Sequence, residues 1–224
     1  MKLASIAIIA AVAASSHALL IDGYSDGAFR ADNQTAATYT NTGNTSATVL
    51  GGQRVINYTR TSVDQSPIGY DIVVSNTAGS TGLYVSNGAQ VDGTLALTYG
   101  NRTSNQLNTN LTSTPLIQFG VPFSDMGVPF DVTLFFNGGA SSATRSAIAT
   151  SANNSAQTLS FDFSGVSSAL LADVDEIRIF SDFPASADFT IRSVNAVAAP
   201  VPEPATLAAL GLGAAALLRR RRKA

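Results

Sequence analysis

The segment Leu159-Ser160-Phe161-Asp162-Phe163 places an apolar side chain at every second position. On an extended backbone successive side chains leave opposite faces, so this spacing gives one face to a core and the other to water. The same two-residue period, in short runs broken by Gly, Asn, Asp and Ser, recurs through residues 19–197, and no stretch there sustains a 3.6-residue period. The pattern predicts strands over 53–59, 70–75, 83–86, 94–99, 115–119, 130–136, 157–163, 176–180 and 187–194. Eight to ten strands in about 180 residues suit an all-β fold of two packed antiparallel sheets, a jelly-roll β-sandwich whose crossing loops would include 100–114. A closed barrel is the alternative. The Asn-, Thr- and Ser-rich stretches 33–46, 101–114 and 141–155 read as solvated loops.

A chain of 224 residues suits one domain with appendages. Its charge is unevenly placed. Residues 19–200 hold seven arginines and no lysine against fourteen carboxylates, a net of −7, while the remaining cations lie at the two ends. An acidic body without a basic stripe excludes a nucleic-acid-binding surface. Cysteine is absent, which removes disulfides, thiolate metal sites and a cysteine nucleophile. The one histidine, His17, lies in a segment expected to be removed, so the mature chain lacks the imidazole that a Ser-His-Asp triad or an ordinary zinc site needs.

The ends read as address labels. Residues 1–18 comprise Lys2, an apolar run and the small-residue ending Ser16-His17-Ala18, which is a secretory signal with cleavage expected after Ala18. A buried N-terminal helix is the competing reading, but the run is apolar all round and has no face to turn to water. At the other end, three prolines in Pro200-Val201-Pro202-Glu203-Pro204 bar helix and leave a stiff extended strip. Residues 205–218 then form an uncharged stretch followed by Arg219-Arg220-Arg221-Arg222-Lys223. As a helix this stretch is about 21 Å long, short of a hydrocarbon core of about 30 Å. It is a marginal anchor, and the basic cluster would keep its end in the cytoplasm.

That order, opening Val201-Pro202-Glu203-Pro204-Ala205-Thr206-Leu207-Ala208, resembles the PEP-CTERM sorting signal of Gram-negative bacteria, here over residues 198–224. The resemblance implies recognition by an exosortase, a membrane-embedded enzyme that cuts near Pro-Glu-Pro and passes its substrate to the cell surface or extracellular matrix. It also implies an association with exopolysaccharide and biofilm formation, and a passing stay in the inner membrane. A plain tail anchor would leave Pro202-Glu203-Pro204 without a role. In the body, the opening Leu20-Ile21-Asp22-Gly23-Tyr24 turn and the late strands ending in Asp188-Phe189-Thr190-Ile191 resemble the galactose-binding-like jelly rolls of carbohydrate-binding modules. Leu50-Gly51-Gly52-Gln53-Arg54 resembles a turn-and-strand motif of exported PEP-CTERM proteins; read from its residues, it is a glycine turn feeding a strand, with Arg54 solvated or paired to a carboxylate.

Three functions stay open: a non-catalytic surface or matrix protein, a glycan-binding module, and a carbohydrate-active enzyme. Glycoside cleavage needs only two carboxylates, and the acidic residues single out no pair. The densest group, Asp173-Val174-Asp175-Glu176, is more simply a loop end. Asp173 and Asp175 would share a face at a strand start. With Asp22 and Asp188 they are the candidate oxygen donors for a structural calcium ion; no other cofactor is expected. Sugars stack their apolar faces on flat rings. Tryptophan is absent, so Tyr24, Tyr39, Tyr58, Tyr70, Tyr84 and Tyr99 are the platform candidates, each more simply a half-buried strand residue with its hydroxyl at the rim.

Overall fold

Apolar alternation becomes pairing wherever two runs bury their inward faces together. The computed structural model describes residues 18–26, 28–33, 38–45, 48–61, 70–75, 81–151 and 155–199. Within them lie β1 (Leu19–Asp22), β2 (Phe29–Asn33), β3 (Thr38–Thr45), β4 (Gln53–Arg60), β5 (Tyr70–Ser75), β6 (Gly82–Asn87), β7 (Gly93–Gly100), β8 (Leu116–Ser124) and β9 (Val128–Phe136). After these come β10 (Ser141–Ala149), β11 (Gln157–Asp162), the single-turn helix α1 (Ser168–Leu171), β12 (Glu176–Phe183) and β13 (Phe189–Val197). The expected signal segment, apart from Ala18 itself, and the tail from Pro200 onward, with its expected membrane helix at 205–218, lie outside the described residues.

Two antiparallel sheets face each other. One runs β11-β8-β13-β6-β5-β2, with β1 also on β13; the other runs β10-β9-β12-β7-β4-β3. Strand β13 gives one edge to β8 along its length, and divides the other between β6, at Phe189 to Ile191, and β1, at Val194 to Ala196. The register against β8 slips between those two stretches, at Arg192, as a bulge does when a strand bends to change partner.

Each strand keeps the predicted alternation. In β9, Val128, Phe130, Val132, Leu134 and Phe136 are buried, while Pro129, Asp131, Thr133 and Phe135 face outward. The inward rings form a spine between the sheets. Phe119 lies 5.3 Å from both Phe130 and Phe161, Phe130 lies 5.6 Å from Phe189, and Phe183 lies 5.5 Å from Phe189 and 5.8 Å from Tyr58. Burying each ring contributes about 1.5–3 kcal/mol, which is how a chain without disulfides holds two sheets together.

The all-β sandwich matches the expectation from alternation, and three local readings change. Stretch 141–155 is not simply a loop: Ser141 to Ala149 pair in unbroken register with Phe136 to Val128. Stretch 33–46 likewise contains β3, paired with β4. Each of these polar strands lies at an end of the six-stranded sheet, where among the described residues one side has no strand neighbour and hydrophilic side chains are tolerated. The opening Leu20-Ile21-Asp22 is strand rather than turn. Stretch 101–114 has one isolated bridge, Thr109 to Val174, and is otherwise irregular as expected, but Leu111 within it is wholly buried.

At one side the end strands β10 and β11 approach each other and are joined by side chains. Arg145 Nε donates to the Asp162 carbonyl at 2.7 Å. The Gln157 amide brackets Thr150, donating to its carbonyl at 2.7 Å and accepting from its N–H at 3.0 Å. The two sheets thus remain a sandwich stitched at this edge.

Candidate functional site

Two motifs far apart in the chain meet in the core. Gly51 adopts φ +74°, which calls for glycine, and a Cβ there would stand 2.5 Å from Leu107 Cδ2 and push that half-buried side chain aside. It feeds β4, whose second residue, Arg54, points inward and is fully buried against an equally buried Asp22. Arg54 Nε and Nη2 both donate to the Asp22 carboxylate. Tyr99 Oη adds a hydrogen bond at 3.0 Å and the Tyr24 backbone N–H another at 2.8 Å. The guanidinium also lies 4.7 Å from the centroid of the Tyr24 ring. Loss of water together with the Asp22 charge raises the ionisation of the Tyr24 and Tyr99 phenols well above the usual range. Of the two readings of Arg54, pairing to a carboxylate is the one the structure shows, and the pair is sealed from solvent. This arrangement ties β1 to β4 and β7; it presents nothing to a ligand.

The four aspartates considered as calcium donors are dispersed. Asp22 is held by Arg54. Asp173 is exposed while Asp175 is 2% exposed, so the two do not share a face; Asp175 accepts the Gly138 N–H at 2.7 Å. Asp188 accepts the Asn87 N–H at 2.8 Å. Among the described residues no three His, Cys, Asp or Glu side chains gather as a metal site. The tyrosine platform also fails in part. Tyr24, Tyr58 and Tyr99 are 0% exposed and their hydroxyls bond inside the core, that of Tyr58 to Asn87 Oδ1 at 2.8 Å. Tyr84 is half-buried, and the side chains of Tyr39 and Tyr70 lie outside what is described.

The outer face of the six-stranded sheet has a different character. Alternation in β12 turns Ile177 and Ile179 inward and sends Arg178 and Phe180 out. Register sets Arg178 between Thr133 of β9 and Thr98 of β7, and Phe180 between Asp131 and Ala96. Two adjoining hollows result. One, of about 260 Å³, is bounded by Asp131, Thr133, Thr144, Arg178 and Phe180. The other, of about 310 Å³, has Arg178 on one side and reaches Val55 and Asn57 of β4, with Arg102 and Glu176 at its end. Arg178 is common to both, so they form one open groove crossing the strands.

Most groups along the groove are already held. Thr133 and Thr144 share a hydroxyl hydrogen bond of 2.9 Å, and Ser146 Oγ donates to Asp131 at 2.5 Å. Arg102 pairs with Glu176 at 3.2 Å and lays its guanidinium 3.8 Å from the Phe135 centroid. Gly139, at φ +84°, makes room for it: a Cβ would stand 2.6 Å from Arg102 Cδ. Arg178 differs. It has no hydrogen bond or ion pair among the described residues, its Nε is buried without an acceptor, and its guanidinium carbon is 5.6 Å from the Phe180 centroid. The sequence carried a usable signal for this site, since alternation in 176–180 already puts Arg178 and Phe180 on one outward face; a search for tyrosines passes over it.

Comparison with known proteins bears on both the tail and the sandwich. Residues 200–223 match the PEP-CTERM protein-sorting motif, as the tail's residue order implied, and the motif marks an exported protein. No curated protein matches the chain in sequence. Among solved structures, the sandwich is similar to a family 11 carbohydrate-binding module from Clostridium thermocellum, solved with a β-1,3-1,4-mixed-linked tetrasaccharide, at 13% identity over 84% of this chain and 98% of that one, TM-score 0.42. It is also similar to TmCBM61, solved with β-1,4-galactotriose, at 8% identity over 62% of this chain and 85% of that one, TM-score 0.40. A family 29 module from Piromyces equi is similar at 9% identity over 83% and 93% of the two chains, TM-score 0.39.

Proposed function

We propose that this exported protein is a non-catalytic component of the cell surface or extracellular matrix whose β-sandwich holds a polysaccharide chain across the outer face of the six-stranded sheet. The observation that carries the reading is the groove from β10 to β4, open along its length and built on paired strands. Sugars offer hydroxyls that need donors and acceptors, and apolar ring faces that stack on flat side chains. The groove supplies both kinds of partner: Thr98, Thr133, Asp131 and Asn57 for hydroxyls, and the half-buried Phe180 ring for a sugar face. Strand-borne side chains are held more rigidly than loop-borne ones.

In this proposal the N-terminal signal carries the body across the inner membrane of a Gram-negative cell. The segment 205–218 then holds it there briefly, with Arg219 to Lys223 in the cytoplasm, until an exosortase acts near Pro202-Glu203-Pro204. Delivery to the surface would bring the groove to exopolysaccharide and, through it, to biofilm.

Affinity electrophoresis of the purified protein through gels carrying neutral and acidic polysaccharides tests the reading. Retardation by at least one polymer is expected, weakened by Phe180→Ala and unchanged by Gln118→Ala on the opposite sheet. Unretarded migration in every polymer would defeat it. Release of reducing ends from a retained polymer would instead favour the carbohydrate-active enzyme, with the outward carboxylates Asp131 and Glu176 as the pair to replace.

A further inference from the structure

The chemistry at the middle of the groove narrows the class of polysaccharide, an inference that rests on the groove being the binding face. Arg178 stands where the two hollows join, with its charge uncommitted. Arg30 pairs with Asp71 at 2.8 Å, Arg54 with Asp22, and Arg102 with Glu176 at 3.2 Å. Arg145 spends its guanidinium on the carbonyls of Asp162 and Thr144, at 2.7 and 2.9 Å. Arg178 has neither kind of partner among the described residues, and its Nε is withdrawn from solvent with no acceptor. That Nε is out of reach of solvent and ligand alike, so what Arg178 offers the groove is its terminal pair of Nη donors, which make no hydrogen bond among the described residues.

The nearby carboxylates do not fill that role. Glu176 lies two residues away on the same face of β12, but it is 6% exposed and clamped by Arg102. Asp131, opposite Phe180 in register, accepts the Ser146 hydroxyl and makes no ion pair with Arg178. In a body of net charge −7, the groove thus centres on a fork of N–H donors whose positive charge has no counterion among the described residues.

We propose that the groove binds an acidic polysaccharide of uronic acid residues, the sugar carboxylate seated on Arg178 and the adjoining ring face on Phe180. A planar guanidinium matches a planar carboxylate through two parallel hydrogen bonds. The 5.6 Å between the guanidinium carbon and the Phe180 centroid puts both contacts within the span of one pyranose unit and its carboxyl group.

The test is affinity electrophoresis of the purified full chain in polygalacturonate and in alginate, each beside its carboxyl-reduced form. The wild type is expected to bind the acidic polymers at least tenfold more tightly than the reduced ones. Arg178→Gln should weaken acidic-polymer binding roughly 10- to 100-fold, the range for a lost charge-assisted hydrogen bond, and leave the reduced polymers unaffected. Arg178→Lys, which keeps the charge but not the fork, should fall between. Phe180→Ala should weaken both kinds of polymer. Equal binding of acidic and reduced polymers, or an Arg178→Gln variant that still prefers the acidic ones, overturns the uronate assignment and leaves the groove standing. Failure to bind either kind overturns both. If Arg178→Gln does not fold, the wild-type preference for acidic over reduced polymer decides alone.

Discussion

Replacing Arg54 with methionine removes the cation from the sealed pair and keeps a comparable volume of side chain. Asp22, with 0% of its surface exposed, would then retain only the Tyr99 hydroxyl at 3.0 Å and the Tyr24 N–H at 2.8 Å. Two charge-assisted hydrogen bonds disappear and the carboxylate is left unpaired in the core. Breaking a buried pair in this way costs about 3–5 kcal/mol, because the charge left behind has neither water nor a partner. For a domain of this size that corresponds to a fall in Tm of about 6–20 °C. Urea unfolding followed by tyrosine fluorescence, convenient in a chain without tryptophan, measures it directly. The double variant Asp22→Asn, Arg54→Met no longer buries an unpaired charge, so its loss should be smaller than the sum of the single losses by more than 1 kcal/mol. A single-variant loss below about 1 kcal/mol, or additive losses, would refute the claim that the two opening motifs stabilise the fold through this pair.

Three further outcomes are expected. Tyr24 and Tyr99 have phenols raised by burial; the folded state therefore holds their protons more tightly than the unfolded chain, and stability present below pH 10 falls as pH rises beyond it. The slope is about 1.4 kcal/mol per pH unit for each tyrosine, to be read from urea midpoints between pH 8 and 11.5, and Tyr99→Phe should reduce it. Gly51→Ala meets Leu107 as well as a positive φ and should cost about 2–4 kcal/mol in urea unfolding. Gly52→Ala, at the same φ of +74° but with open space around it, should cost only about 1–2 kcal/mol. Replacing Pro202-Glu203-Pro204 with alanines should leave uncut protein in the membrane fraction on immunoblots, and release of a shortened form at the normal rate would contradict the sorting role.

Much was legible along the chain because it depends on near neighbours. The inward faces of β9, β11 and β12 follow from a period of two residues, and the tail's proline strip, apolar stretch and arginines occupy one continuous segment. The polar strands β3 and β10 were not legible, since edge pairing supplies their backbone hydrogen bonds whatever their side chains.

By itself the sequence determined the sandwich, through alternation, and the exported destination, through a tail that matches a sorting motif over 200–223. Tertiary structure decided which polar residues face the core and which line the outer groove. Asp22 meets Arg54 across 32 positions and Tyr99 across 77, and Arg178 is set between strands that come from distant parts of the chain. Burial and charge pairing are sums over such distant neighbours, which is why a carboxylate proposed as a calcium donor became half of a buried ion pair, and an arginine that no motif marked became the centre of the groove.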